Sequence, residues 1–212
     1  MPVFAYILIA LAAYLLGSLP AGYLVGRAKG IDIRTVGSKN MGATNVVRVL
    51  GMGPGILVLF VDGLKGFAAA GWLCDALLGL FTVPADQVFW VHILGGIFAV
   101  LGHNYTCWLK FKGGKGIATT AGAYFALAPV AVSIALAIWI IVFLTTRYVS
   151  VASIAAAIAL PTAVWFTEAS TLLGVVTTAL GALAIYKHKG NIQRLLAGTE
   201  SRINFKKEKT VA

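Results

Sequence analysis

Apolar and polar residues follow one another in long blocks along this chain, and the blocks predict helices that cross a membrane. Val3 to Val25 is an apolar run long enough to span. No Lys or Arg precedes it and no small-residue cleavage signature follows, so it reads as a retained helix and not a signal peptide. Within it, Gly22 and Gly26 have GxxxG spacing, which predicts a helix-packing face. Arg27 to Leu50 is polar and basic, and Gly51, Gly53, Pro54 and Gly55 then break the chain before a second run ending near Cys74. A third run covers roughly Val88 to Gly102. Ile117 to Thr146 as one helix would be about 45 Å long, against a hydrocarbon core of about 30 Å. Pro129 therefore predicts two short helices. The pattern repeats between Val149 and Tyr186, divided near Thr167-Glu168-Ala169-Ser170. The expectation is an all-α polytopic protein with seven transmembrane helices, forming one membrane domain over residues 1–212.

Charge fixes the orientation of these spans. With the N-terminus outside, the inner segments hold Arg27, Lys29, Arg34, Lys39 and Arg48, then Lys110, Lys112 and Lys115, then Arg147. The C-terminal tail, with Lys187, Lys189, Arg194, Arg202, Lys206, Lys207 and Lys209, is also inside. The outer segments hold Asp75, Asp86 and Glu168 and no cation, and only Lys65 stands within a span. A miscount by one helix would destroy this sorting.

Composition agrees: 59% of the 212 residues are hydrophobic and 11% charged, where a soluble domain carries about 25%. The formal net charge of +10 would suggest nucleic acid in a soluble protein. Here the basic residues cluster at helix ends, so an anionic leaflet and anionic substrates are the expected partners, and no nucleic acid. The two cysteines, Cys74 and Cys107, lie at opposite ends of spans and are read as unpaired.

The chemistry concentrates in the inner segments. His103 to Gly116 is a cationic, glycine-rich island in which Gly113, Gly114 and Gly116 expose backbone N–H groups beside Lys110, Lys112 and Lys115. A helix starting at Ile117 would complete an anion site, although the same composition suits an ordinary positive-inside loop. Walker A is excluded, because Gly114-Lys115 is followed by Gly116 and position 109 is Leu. Val36 to Arg48 offers small and amide side chains and an Arg able to clamp a phosphate; its other reading is a capped turn entering a helix. Arg147 to Ser153 and His188 to Glu200 supply further polar groups. Asp62 and Lys65 share a helix face inside a span and read as a structural clamp rather than as catalysts. His92 reads as incidental, whereas His103 and His188 stand at inner ends where a base is useful. Three scattered histidines and few carboxylates form no metal constellation. No His is followed by Asp five positions later, which excludes the His-x4-Asp acyltransferases.

Several motifs in order give a resemblance covering essentially the whole chain. Gly17-Ser-Leu-Pro20, Gly37-Ser-Lys-Asn-Met-Gly-Ala-Thr-Asn45, Asp62-Gly-Leu-Lys-Gly66, Phe111-Lys-Gly-Gly-Lys-Gly116, Arg147-Tyr-Val-Ser150 and Asn191-Ile-Gln-Arg-Leu-Leu-Ala-Gly-Thr-Glu200 resemble the bacterial acyl-phosphate:glycerol-3-phosphate acyltransferase family. The resemblance implies an active site on the cytoplasmic face of the inner membrane, glycerol 3-phosphate and an acyl phosphate as substrates, and lysophosphatidic acid as product. It implies no cofactor, a setting among membrane lipids, and coupling to the enzyme that makes acyl phosphate. Carried onto matching positions, it makes His188, Lys115, Ser38 and Asn191 catalytic candidates. Arg48, Asn40, Thr44, Asn45, Lys112, Gly113, Gly114, Gly116, Ser153, Arg194 and Glu200 become substrate-binding candidates. The chain departs from the family pattern at Lys39, where a small residue is usual, at Thr106, where Pro is common, and at Gly190, where an acidic residue is common. The alternative from another class is a transporter of a phosphorylated metabolite, against which stands the lack of any internal repeat.

Overall fold

Glycine or proline marks several of the helix ends, at Pro20, Gly51, Gly71 and Pro129, while Pro161 stands inside a helix. The computed structural model describes residues 3–203; the tail residues Lys206, Lys207 and Lys209 lie outside them. The described residues form eleven α-helices. These are α1 (Val3–Ser18), α2 (Ala21–Ala28), α3 (Ala43–Leu50), α4 (Met52–Ala70), α5 (Trp72–Leu78) and α6 (Ala85–Asn104). After the basic island come α7 (Ile117–Leu127), α8 (Pro129–Thr146), α9 (Val149–Thr167), α10 (Thr171–Lys187) and α11 (Lys189–Leu196).

Five stretches are long and apolar enough to cross a membrane: Val3–Ala28, Met52–Leu78, Ala85–Leu109, Pro129–Thr146 and Val149–Thr167. A sixth forms only if α10 and α11, bent by 52°, are taken together. Pro129 does end one helix and start the next, leaving α7 with 11 residues, about 16 Å of helix. That is half a hydrocarbon core, and α7 is instead held by its neighbour α4. A Cβ at Gly66 would overlap the Thr119 carbonyl and one at Gly122 the Gly63 carbonyl, so the two backbones touch because side chains are absent.

Helix α1 packs on α6, α4 on α7 and α6, α8 on α9, and α9 on α10. The core where α6 to α10 meet contains Ile93, Val100, Tyr124, Leu127, Val132, Leu160, Val164 and Leu173. Tyr124 is fully buried, and its hydroxyl shares a hydrogen bond of 2.5 Å with Thr177 of α10. Exposed side chains such as Phe4, Ile7 and Leu11 on α1, and Ile134, Ile141 and Leu144 on α8, are apolar, as a lipid-facing surface requires.

Three local expectations need correction. The first run is not one helix: the chain breaks at Leu19-Pro20, because Pro20 has no N–H to continue the ladder. Nor does Gly22-to-Gly26 face another span. A Cβ at Gly22 would strike the Met41 carbonyl and one at Gly26 the Ile31 carbonyl, so these glycines admit the following loop. His92 is not incidental either. Its Nδ1 lies 2.7 Å from the Ala70 carbonyl and its Nε2 3.4 Å from Asp75, tying α6 to the break between α4 and α5.

Candidate active site

The polar loops between these helices converge on one cavity of about 430 Å³. The island is built first by α6. Its last two carbonyls, of His103 and Asn104, accept the N–H groups of Gly114 at 3.0 Å and Gly113 at 3.2 Å, folding the loop back on the helix end. Thr106 Oγ1 donates to the Ser18 carbonyl at 2.6 Å, fastening the loop to α1. Lys110 and Phe111 stand in the left-handed region, as does Gly116 (φ 85°) immediately before α7. Only Gly takes that conformation without steric cost, and it aims Lys115 inward. Lys115 Nζ reaches Asn191 Oδ1 at 2.5 Å.

Asn45 organises the second loop. Fully buried, its amide donates to the carbonyls of Ile33 (3.0 Å), Val36 (3.1 Å) and Asn40 (2.9 Å), while Oδ1 accepts from Ser38 N–H at 2.8 Å. One side chain thus sets the whole turn that presents Ser38, Asn40 and Thr44. Helix α3 begins at Ala43 and carries Arg48 to the same cavity wall.

The third contribution comes from the bend between α10 and α11. His188 stands at that bend, with Nδ1 2.8 Å from the Ala184 carbonyl. A carbonyl can only accept, so Nδ1 carries the proton and Nε2 is left as an acceptor. Beyond α11 the chain returns to place Glu200, which accepts from Ser150 Oγ at 2.8 Å, Asn191 Nδ2 at 2.7 Å and Arg194 Nε at 2.7 Å.

Among the described residues neither Lys115 nor Arg48 has a carboxylate within ion-pair distance. Burial pushes the Lys115 ammonium down to about 8; Glu200 opposes this, and the positive Arg194 and Arg48 add to it. Burial acts the other way on Glu200, but hydrogen bonds from Asn191, Ser150 and Arg194 outweigh it and hold that carboxyl below its ordinary pKa. The site therefore carries uncompensated positive charge in a partly dry cleft, the condition for binding an anion.

Of the residues expected to act, the cavity brings together Ser38, Asn40, Thr44, Asn45, Arg48, Lys115, Gly116, Ser153, His188, Asn191 and Glu200. Lys112, Gly113, Gly114 and Arg194 do not line it: Lys112 is exposed, Arg194 reaches the site only through Glu200, and the two glycines shape the loop from behind. The other half of the cavity is apolar, with Ile56 and Leu59 of α4, Leu136 and Trp139 of α8, Leu160 of α9 and Leu180 of α10. Trp139 stacks on Phe143 at 5.1 Å between ring centroids. No metal-ligand group of three or more His, Cys, Asp or Glu residues occurs among the described residues.

The chain has known relatives. The family model for glycerol-3-phosphate acyltransferase matches residues 7–198. This chain belongs to that family. It is 42% identical over 193 residues to a glycerol-3-phosphate acyltransferase of Fusobacterium nucleatum subsp. nucleatum, covering 91% of this chain and 95% of that one. With the Aquifex aeolicus glycerol-3-phosphate acyltransferase it shares 43% over 190 residues, covering 90% and 95%. Among solved structures it is similar to PlsY, an integral membrane glycerol 3-phosphate acyltransferase, in its glycerol 3-phosphate form. That match has a TM-score of 0.83 at 40% identity, covering 94% of this chain and 96% of that one. The lysophosphatidic acid form of PlsY gives 0.80 at 39% identity, covering 94% and 95%. Membership of this acyltransferase family, together with the apolar helices, makes the chain a multi-pass membrane protein and gives no support to the transporter alternative.

Sequence reasoning missed three parts of the site. Asp62, read in the sequence only as half of a clamp, lines the cavity beside His103, which the sequence already offers as a base at an inner helix end. Ser150 holds Glu200. The apolar half gave no contiguous signal: Gly181 of α10 closes onto the Ala157 carbonyl of α9 and serves helix contact, and the apolar wall is assembled from Ile56, Leu59, Leu136 and Leu160 on separate helices.

Proposed function

We propose that this chain transfers a fatty acyl group from an acyl phosphate to glycerol 3-phosphate, forming 1-acyl-glycerol 3-phosphate (lysophosphatidic acid). The observation that carries the reading is the cavity itself, which in a glycerol-3-phosphate acyltransferase joins a cationic, amide-rich end to an apolar end. The cationic end suits two phosphates and the apolar end suits an acyl chain.

An acyl phosphate is already an activated anhydride, so the reaction requires no protein nucleophile. The glycerol hydroxyl attacks the acyl carbon, the new ester C–O bond forms, and the bond from that carbon to the phosphate oxygen breaks. The difficulty is electrostatic. Two unit charges ~4 Å apart repel by about 4 kcal/mol at an effective dielectric of 20, and each substrate carries more than one charge. Lys115, Arg48 and the amides of the Ser38–Asn45 turn offset that repulsion and stabilise the departing phosphate. Two groups are suited to take the hydroxyl proton, Nε2 of His188 and an oxygen of the substrate's own phosphate. His188→Gln separates them, because it abolishes turnover in the first case and mainly raises KM in the second.

The same reading has seven spans, with the N-terminus outside and the C-terminus in the cytoplasm, in the bacterial inner membrane. The sorting of Asp75, Asp86 and Glu168 from the basic segments supports it. Cysteines introduced at Asp86 and Glu168 should then label from outside intact cells and one at Lys189 should not.

The deciding experiment is activity of the detergent-purified chain alone. Palmitoyl phosphate with glycerol 3-phosphate should give lysophosphatidic acid without added metal, and palmitoyl-CoA should not replace the phosphate donor. Failure with acyl phosphate, or equal use of acyl-CoA, would overturn the donor assignment.

A further inference from the structure

A second polar cluster lies behind the cavity, inside the helices. Lys65 Nζ is 2.7 Å from Asp62 Oδ1, with both side chains almost wholly buried, and it also donates to the Leu19 carbonyl at 2.8 Å where the first run breaks. His103 Nδ1 stands 3.5 Å from the same Asp62 oxygen, in a side chain equally buried. Through His103 the cluster touches the island twice. The His103 carbonyl accepts Gly114 N–H at 3.0 Å, and the ring lies so close to Gly114 that a Cβ there would overlap Nε2. Lys115 is the next residue.

An ion pair in a membrane interior is a costly way to hold helices together, since an apolar pair of similar volume commonly serves as well or better. What an apolar pair cannot do is fix the rotation of an imidazole ring. We propose that Asp62, Lys65 and His103 form a positioning device for the acyl transfer. Lys65 orients the Asp62 carboxylate, Asp62 orients the His103 ring, and the ring edge sets the Gly114 backbone and hence the aim of Lys115. Gly114 lacks a side chain because the ring occupies that place. Asp62 and His103 also line the cavity, so the device sits directly beneath the groups it aims.

This inference rests on the acyltransferase reading, and the test separates the two. The variants are the double replacement Asp62→Leu with Lys65→Met, which removes the ion pair as a unit, and the single His103→Asn and His103→Leu. Asn keeps an N–H near the position of Nδ1 and Leu does not. Each is compared with wild type for steady-state kinetics with palmitoyl phosphate and glycerol 3-phosphate, and for thermal midpoint in detergent. A misplacement of about 1 Å at a reacting group commonly lowers rate ~10²-fold. The double variant should keep its thermal midpoint and lose about that factor in kcat/KM for glycerol 3-phosphate, and His103→Asn should retain more activity than His103→Leu. A second readout guards against misfolding. In the double variant the alkaline limb of the kcat/KM profile should move, because Lys115 would no longer stand in the same surroundings of Arg48, Arg194 and Glu200. An inactive wild type would refute the function. An active wild type matched in kcat/KM and pH profile by the double variant would refute the positioning role and leave a plain helix clamp.

Discussion

Two lysines in this protein, Lys65 buried and Lys115 half-buried, have opposite surroundings. Lys65 lies between helices with the Asp62 carboxylate 2.7 Å away and the Leu19 carbonyl 2.8 Å away. Lys115 lies at the cavity with an amide oxygen, that of Asn191, as its hydrogen-bond partner. The first charge is matched within the protein; the second is held in place but left to be matched by something else. A cation that is positioned and not neutralised is the signature of an anion site, because its desolvation has been met by the fold and its attraction has not been spent. The carboxylate nearest the site underlines the point. Glu200 is engaged by Ser150, Asn191 and Arg194, so it orients the amide that holds Lys115 without itself approaching the ammonium to ion-pair distance.

The contrast predicts which assay each lysine governs. Lys65→Met alone should destabilise by about 3–5 kcal/mol, because it strands the Asp62 carboxylate in the interior. Thermal unfolding in detergent reads this, and an unchanged midpoint would show that Asp62 is not charged there. Lys115→Ala should leave the midpoint near wild type and lower kcat/KM by roughly 10²–10³, about 2.7–4 kcal/mol of transition-state stabilisation. Lys115→Arg should rescue poorly, since a planar fork does not replace a compact ammonium between two glycines. Loss of one charge-assisted hydrogen bond is worth about 1.5–3 kcal/mol, so Glu200→Gln, which frees Arg194 and loosens Asn191, should lower kcat/KM by roughly 10–10². A rate equal to wild type would mean Asn191 is aimed by α11 alone. The mildest effect is that of pH. Lys115, with its pKa pushed down to about 8 in the unliganded site, is an ammonium below that pH and loses its charge above it. The kcat/KM for glycerol 3-phosphate should therefore fall as pH rises through about 8, while kcat, measured with anions bound beside Lys115, should hold to higher pH.

The all-helical membrane character and the break at Pro129 were legible because a bilayer leaves the chain little choice and apolar runs are one-dimensional signals. The number of spans was not: among the described residues five stretches, or six with α10 and α11 taken together, are long and apolar enough to cross where seven were expected. The island and the Ser38–Asn45 turn were legible for a similar reason, since their glycines and amides are contiguous. What escaped was whatever depends on two distant segments meeting. Asn45 was read as a substrate ligand, and its contacts make it the brace of its own turn. Asp62 was read beside Lys65, its neighbour on the helix, but the contact to His103 on α6 needs the packing of α4 on α6. The break at Pro20 was hidden by the apolar residues around it, and Gly22 by a spacing that suits helix packing as well as it suits a loop.

Calorimetric titration of glycerol 3-phosphate into detergent-purified wild type and Lys115→Ala at pH 7 puts the central claim to its most direct test. Because the titration needs no acyl donor, it reads the charge left unmatched at the cavity and not the chemistry that follows. Saturable binding to wild type, weakened at least tenfold in a folded Lys115→Ala, is the expected result. Equal affinity in the two proteins would mean that Lys115 does not hold the substrate phosphate, and that the island is only a basic loop at the membrane surface.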